Sequence, residues 1–303
     1  MTREWDEQSE RSTTFMLRLL VGIGLALGRG FARLILFPVV AYFLLTGGAS
    51  KKASRQYLRR ILGREPNWRD IARHFHAFAS VSLDRFFFLA GKADLFDIKV
   101  HRSTEVLELS KQQRGCLLLM AHAGSFEVMR HLGAEHRRLP LRMLIDMRVN
   151  ARFMSVVQQL RPDFSERVID ASQSGPTLVL TLKEALEQGA MVGMMADRVR
   201  EHERRVPVSF LGGPAQLPAG PWILAATLGV PVILAFGLYR GGNRYDVHLE
   251  RFADKIELPR ATRETALREQ AQAYADRLAH HLHAAPYNWF NFYDYWADAP
   301  AQD

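Results

Sequence analysis

The chain has 303 residues, 48% hydrophobic and 24% charged, which is the composition of a folded protein with ample chain for one large core. Its net charge of +8 favours an anionic partner; with no zinc-finger spacing and no RNP-like aromatic signature, nucleic acid is set aside in favour of anionic lipid or an acidic carrier or substrate. Cys116 is the only cysteine, so an intrachain disulfide is excluded, and its place in an apolar run makes it a small core residue.

Phe15 to Leu45 is mostly Leu, Ile, Val, Phe, Ala and Gly, interrupted by Arg18, Arg29 and Arg33 and containing Pro38. Glu4, Asp6, Glu7 and Glu10 precede it, which does not fit a secretory signal peptide. A spanning helix needs about 20 mainly apolar residues, and a charge near mid-bilayer costs roughly 2.5–3.5 kcal/mol, so the arginines argue against a plain central span. Three readings stand: a bent anchor with snorkelling arginines, a pair of amphipathic helices lying in the interface, or a buried helical hairpin. Lys51, Lys52, Arg55, Arg59, Arg60 and Arg64 follow at once and, by the positive-inside tendency, keep the body cytoplasmic. The expected division is a tail and membrane anchor over 1–50 and a catalytic domain over 51–303.

Asn67 to Leu89 reads as a long helix with Ile71, Phe75, Phe78, Leu83, Phe86 and Phe87 on a broad apolar face. His74 and His76 fall on different faces and read as structural. Strands are expected at Phe96–Val100, Gly115–Ala121, Leu141–Ile145, Val168–Ile169 and Met191–Met195. Helices are expected from Gly124-Ser125 through Val128 and Leu132, over Ala151–Leu160, and from Thr177 to a stop at Gly189. Arg200 to Arg205 is a charged loop, and Val206 to Ala215 an apolar turn, either a wall for a greasy substrate or a packed loop. A helix follows Pro218-Ala-Gly-Pro221, Gly241-Gly242-Asn243 joins a hairpin of Pro231–Tyr239 and Tyr245–Phe252, and an amphipathic helix with Leu267, Ala271, Tyr274, Leu278 and Leu282 closes the pattern. Alternating strands and helices predict an α/β fold, a mixed central sheet flanked by helices.

His122 to Glu127 reads H-A-G-S-F-E at the C-terminal end of a buried strand, where α/β sheets usually carry their sites. An imidazole titrates nearest neutrality and can take a proton from a hydroxyl; a carboxylate fixes its tautomer. The same residues also fit a capping histidine with an acid at a helix N-terminus. Ser125 lacks a G-x-S-x-G elbow and reads as an N-cap rather than a nucleophile. Arg148, Arg167, Asp197 and Arg198 are placed at the same sheet edge, as anion-binding groups or as solvated surface residues. His280, His281 and His283 lack metal-ligand spacing and are expected on a wet helix face, so no metal site is expected. Pro286 to Trp296 holds seven aromatics, suiting a membrane interface or a core plug.

Together these features resemble the bacterial lipid A late acyltransferases, the lauroyl/myristoyl branch of the glycerolipid acyltransferase superfamily. The resemblance lies in the N-terminal apolar segment, His122-x4-Glu127, Gly189-x7-Asp197, the turn from Phe210 to Ala215 and the Gly229-Val-Pro-Val232 strand entry. The ending N-W-F-N-F-Y-D-Y-W and the segment L-Y-R-G-G-N-R-Y look more like a sub-branch found with aryl polyene pigment clusters. Ala121 stands where the family usually has Asn, which leaves the acceptor open between lipid A-like and aryl polyene-type lipids. The resemblance implies a glycerol-3-phosphate acyltransferase-like fold at the bacterial inner membrane, its catalytic domain on the cytoplasmic face. The implied reaction moves an acyl group from acyl carrier protein or acyl-coenzyme A to a lipid hydroxyl, without metal, cofactor or covalent enzyme intermediate. It implies His122 as base, Glu127 as the group that holds it, and Arg148, Arg167, Asp197, Arg198, Phe210 and Gly212 around the substrates. An acyl thioesterase and a catalytically inactive lipid-binding protein remain alternatives.

Overall fold

The computed structural model describes residues 22, 27–102, 108–109, 111–112, 114–129, 141–147, 167–173, 175–200 and 202–296. Among the described residues the chain runs through helices α1 (Arg29–Thr46), α2 (Gly48–Leu62) and α3 (Trp68–Leu89) before the first strand. The start of α3 is written locally. Asn67 accepts from the backbone N–H groups of Arg69 and Asp70, and Asp70 accepts from the Asn67 backbone N–H, so three backbone donors at the helix start are satisfied by two side chains. Of the residues expected on its apolar face, Ile71, Phe75, Leu83, Phe86 and Phe87 are buried, while Phe78 is exposed.

The strands are β1 (Asp97–Arg102), β2 (Cys116–Met120), β3 (Leu141–Ile145) and β4 (Val168–Asp170), then helix α4 (Gly175–Glu187) and β5 (Met191–Met195). A hairpin of β6 (Arg205–Phe210) and β7 (Gly213–Pro218) precedes α5 (Gly220–Leu228). The chain then forms β8 (Val232–Tyr239), β9 (Arg244–Ala253) and α6 (Arg263–Ala284). Seven strands form one sheet in the order β1-β9-β8-β2-β5-β3-β4. Every pair is parallel except β8–β9, the Gly241-Gly242 hairpin that makes the sheet mixed as expected. The central strands β2 and β8 are buried along their whole length, the mark of a sheet covered on both faces. Cys116 is buried there, which pushes its thiol up to about 12.

Two expectations change. Val206 to Ala215 is not a turn but most of an antiparallel hairpin, because Val206, Val208, Phe210, Ala215 and Leu217 alternate inward at the strand period. The helix expected over Ala151–Leu160 lies outside the described residues.

In the N-terminal region α1 packs along α3 with Ala32, Leu36 and Val40, one helical stripe. Its arginines point the same way. Arg29 forks onto Asp84 at 2.7 and 2.8 Å, Tyr245 donates to the same carboxylate at 2.8 Å, and Arg33 donates to Tyr239 Oη at 3.1 Å. Asp84 is fully buried, so removing Arg29 would strand a charge at a cost of about 3–5 kcal/mol. That exceeds the few tenths to 1 kcal/mol of an exposed ion pair and fixes α1 against the body.

Candidate active site

β2 and β5 are parallel neighbours whose register pairs Met120 with Met195. The residue two places beyond each strand end therefore reaches the same height on the same sheet edge: His122 after β2, Asp197 after β5. The strand ends are tied by the Ala196 N–H, which donates to Met120 O at 2.9 Å. His122 Nδ1 lies 2.8 Å from Asp197 Oδ1, and the His122 backbone N–H donates to Asp197 Oδ2 at 3.1 Å.

Asp197 is fully buried, and burial alone would push its carboxyl up. The attraction of His122, the hydrogen bond to it, the Arg198 charge and the Trp289 indole together outweigh that and hold the group below the usual carboxylate range. Trp289 Nε1–H donates to Oδ2 at 3.0 Å and the Asn291 amide to the same oxygen at 3.4 Å. An ionised carboxylate only accepts, so His122 Nδ1 carries the proton and Nε2 holds the free lone pair. The His122 side chain is 32% exposed, and Nε2 has no hydrogen-bond partner among the described residues. Desolvation, then the charge of Arg198, lower the His122 pKa below 6.5 against the pull of Asp197; Arg85 adds to the lowering. His122 is thus neutral near pH 7, a base with one nitrogen held and the other open.

The turn that carries His122 depends on two glycines. Gly124 has a φ of 66°, and a Cβ there would stand 2.0 Å from Gly237 O; a Cβ on Gly237 would stand 2.2 Å from Ser125 O. That approach lets Ser125 N–H donate to Gly237 O at 2.6 Å, anchoring the loop to the middle of β8. On its other side the aromatic tail closes in. Phe290 N–H donates to His122 O at 2.9 Å, and Gly124 N–H donates to Asn288 O at 2.8 Å. Asn288 in turn bonds both backbone groups of Tyr239, at 2.7 and 3.0 Å. Arg198 is clamped to the tail through Asn291 Oδ1 at 2.5 Å and Phe290 O at 2.9 Å.

The expected site residues separate. His122 and Asp197 meet directly, with Asp197 fully buried and its carboxylate spent on His122, Trp289 and Asn291. Asp197 thereby takes the place on Nδ1 expected for Glu127. Glu127, in the helical turn after the loop, is buried and accepts from Arg85 Nε at 3.1 Å. Arg198 lies beside His122. Arg167 precedes β4 and so sits toward the opposite sheet edge from Asp197, since β4, β3 and β5 run parallel. Arg148 lies outside the described residues. Phe210 is buried among the rings of Trp289, Tyr295 and Trp296, a packing role, and Gly212 turns the β6–β7 hairpin at a φ of 72°. Ser125 Oγ is buried without a hydrogen-bond partner among the described residues, so it is not the N-cap its position predicts. His281 is buried against Glu250 at 2.8 Å rather than on a wet face.

Sequence reasoning missed Arg85, Trp289, Asn291 and Gly237. The tail carried the one available signal: asparagines inside an aromatic run have to be satisfied somewhere when that run is buried.

Residues 41–297 match the family model of the bacterial lipid A biosynthesis acyltransferases. That span contains His122, Asp197 and the whole aromatic clamp. The chain belongs to the bacterial lipid A biosynthesis acyltransferase family. It is an acyltransferase of that membrane-associated family, whose members transfer acyl groups to a lipid acceptor. No curated protein sequence matches the chain.

Proposed function

We propose that this acyltransferase moves a fatty acyl group from an acyl thioester on acyl carrier protein to a hydroxyl of a membrane lipid, with His122 as general base. The observation that carries the reading is the geometry of one imidazole: Nδ1 held by the buried Asp197, Nε2 without a hydrogen-bond partner among the described residues, and the ring kept neutral by its surroundings. Nε2 accepts the proton of the acceptor hydroxyl as its oxygen attacks the thioester carbonyl. The tetrahedral oxyanion forms beside the positive charges of Arg198 and Arg85. On collapse the C–S bond breaks, the thiolate leaves, and it takes the proton from the imidazolium. Asp197 steadies the transient imidazolium, as a buried carboxylate does in hydrolytic triads.

The net charge of +8 suits an acidic carrier protein as the donor. The division into an anchor up to residue 50 and a catalytic domain beyond it, with the body on the cytoplasmic face of the inner membrane, rests on the basic run from Lys51 to Arg64. The resemblance of the tail N-W-F-N-F-Y-D-Y-W to the sub-branch found with aryl polyene clusters sets an aryl polyene-type lipid beside a lipid A-like one as the acceptor.

The test is mass spectrometry of the whole lipid extract of the producing bacterium, wild type against a chromosomal His122→Ala strain. The expected result is one lipid class lacking one acyl chain in the variant, which also names the acceptor. Unchanged lipids with the variant at normal abundance would overturn the assignment, and free fatty acid from the purified enzyme without acylated lipid would make it a thioesterase.

A further inference from the structure

Helix α1 is the one described helix long and apolar enough to cross a membrane, and its 18 residues extend about 27 Å, close to the hydrocarbon thickness. Its surroundings argue for another placement. The inward stripe of Arg29, Ala32, Arg33, Leu36 and Val40 is spent on the protein body. The opposite stripe is apolar and bare: Phe31, Leu34 (62% exposed), Phe37, Tyr42 and Leu45 (82% exposed). The supporting helix α3 carries Arg69, Asp70, Arg73, Asp84 and Arg85, so a span by α1 with α3 attached would carry those charges into hydrocarbon. A span by α1 alone would strip the buried Asp84 of Arg29. Embedding the outer stripe edgewise requires neither.

We propose that α1 lies in the plane of an anionic bilayer, its Phe31–Leu45 face sunk to the headgroup–acyl boundary, and does not cross. The charge pattern fits that occupant. Lys51 and the exposed Lys52 lie in the first two turns of α2, five and six residues after α1 ends, so two positive charges follow the apolar face closely and suit anionic headgroups. The rings also continue toward the catalytic edge. Phe37 contacts His76 of α3 at 5.3 Å between ring centroids. Two residues further along α3, the exposed Phe78 contacts Phe290 and Phe292 at 5.4 and 5.2 Å, and Phe290 is bonded to the backbone of His122. A level α1 therefore sets the His122 edge at the membrane surface, where a lipid hydroxyl is presented. The placement rests on the family's membrane association and not on the role of His122, so the two readings fail separately.

The experiment uses the full chain in a Cys116→Ala background with Phe31→Cys, Leu34→Cys, Phe37→Cys, Tyr42→Cys and Leu45→Cys made singly. Each variant carries an environment-sensitive fluorophore and is bound to vesicles of phosphatidylethanolamine and phosphatidylglycerol. Vesicles contain lipid spin-labelled either near the headgroup or near the acyl terminus. The expected result is stronger quenching by the shallow label at all five positions. A profile in which the deep label wins at Phe37, while Phe31 and Leu45 stay shallow, would show a crossing helix and overturn the proposal. Quenching by neither label at any position would assign this face to a different partner and overturn it equally. Five exposed positions read independently, so loss of one variant to misfolding leaves the profile defined.

Discussion

Asp197 grips His122 twice, taking the ring Nδ1–H on one carboxylate oxygen at 2.8 Å and the backbone N–H on the other at 3.1 Å. The first contact sets the tautomer and the second sets where the ring stands, so one buried carboxylate fixes both the proton and the position of the imidazole.

Asp197→Asn is expected to lower kcat by about 10²–10⁴-fold, the range for loss of effective general-base catalysis. With His122 as the proposed base, the wild-type rate is expected to rise with pH as the imidazole loses its proton, with a midpoint below 6.5 because the folded environment lowers its pKa. The Asp197 charge acts in the opposite direction, so removing it moves the midpoint lower still. A kcat–pH profile of both proteins checks the sign, and a variant profile with an unmoved midpoint would assign Asp197 a purely structural role.

Trp289→Phe keeps the ring volume and removes the Nε1–H that satisfies Asp197 Oδ2. The expected cost is about 1–3 kcal/mol of stability, the penalty of a buried acceptor losing a donor. The loosened Asp197 should lower kcat while KM for the acyl donor stays within about twofold, since the indole is buried away from solvent. Denaturant unfolding and steady-state kinetics on the same preparation separate the two effects.

Gly124→Ala and Gly241→Ala form a matched pair. Both glycines have positive φ, 66° and 86°, but a Cβ at Gly241 meets nothing within 4 Å whereas one at Gly124 would stand 2.0 Å from Gly237 O. Gly241→Ala is expected to cost about 1–2 kcal/mol and leave activity intact. Gly124→Ala must displace the His122 loop from β8 and is expected to abolish activity; equal activities in the two variants would contradict this.

His74 is fully buried, with Nε2 2.8 Å from Trp289 O and Nδ1 2.9 Å from Ser54 Oγ. Because a carbonyl only accepts, Nε2 carries the proton and Ser54 donates to Nδ1. Burial lowers the His74 pKa from 6.5 to about 4. The unfolded chain therefore binds a proton that the folded chain does not between pH 6.5 and 4, and stability falls as pH drops through that window, by up to roughly 3 kcal/mol from this group. Urea unfolding at several pH values should show the slope, reduced in His74→Asn.

Much of the α/β layout was legible because it is written at short range. Leu117-Leu118-Leu119 could be recognised as a covered strand, Gly241-Gly242-Asn243 as a hairpin, and the apolar spacing of Leu267 to Leu282 as a helix, each from its neighbours alone. The β6–β7 hairpin was missed because its turn, Leu211-Gly212, puts a leucine at a φ of 49°, a conformation that sequence rules assign to Gly, Asn or Asp.

The sequence by itself determined that His122 ends a buried strand and that Asp197 ends another, since burial and strand period are local properties. Only the tertiary structure decided which carboxylate serves the histidine. Glu127 is five residues away in sequence, and Asp197 is 75. Pairing β2 with β5 in the Met120–Met195 register brings the distant carboxylate to Nδ1, while the helical turn after the loop sends the near one to Arg85. The tail followed the same rule: its aromatics were visible as a composition, but its indole, amides and backbone acquired their partners only when the folded sheet offered a buried charge to satisfy.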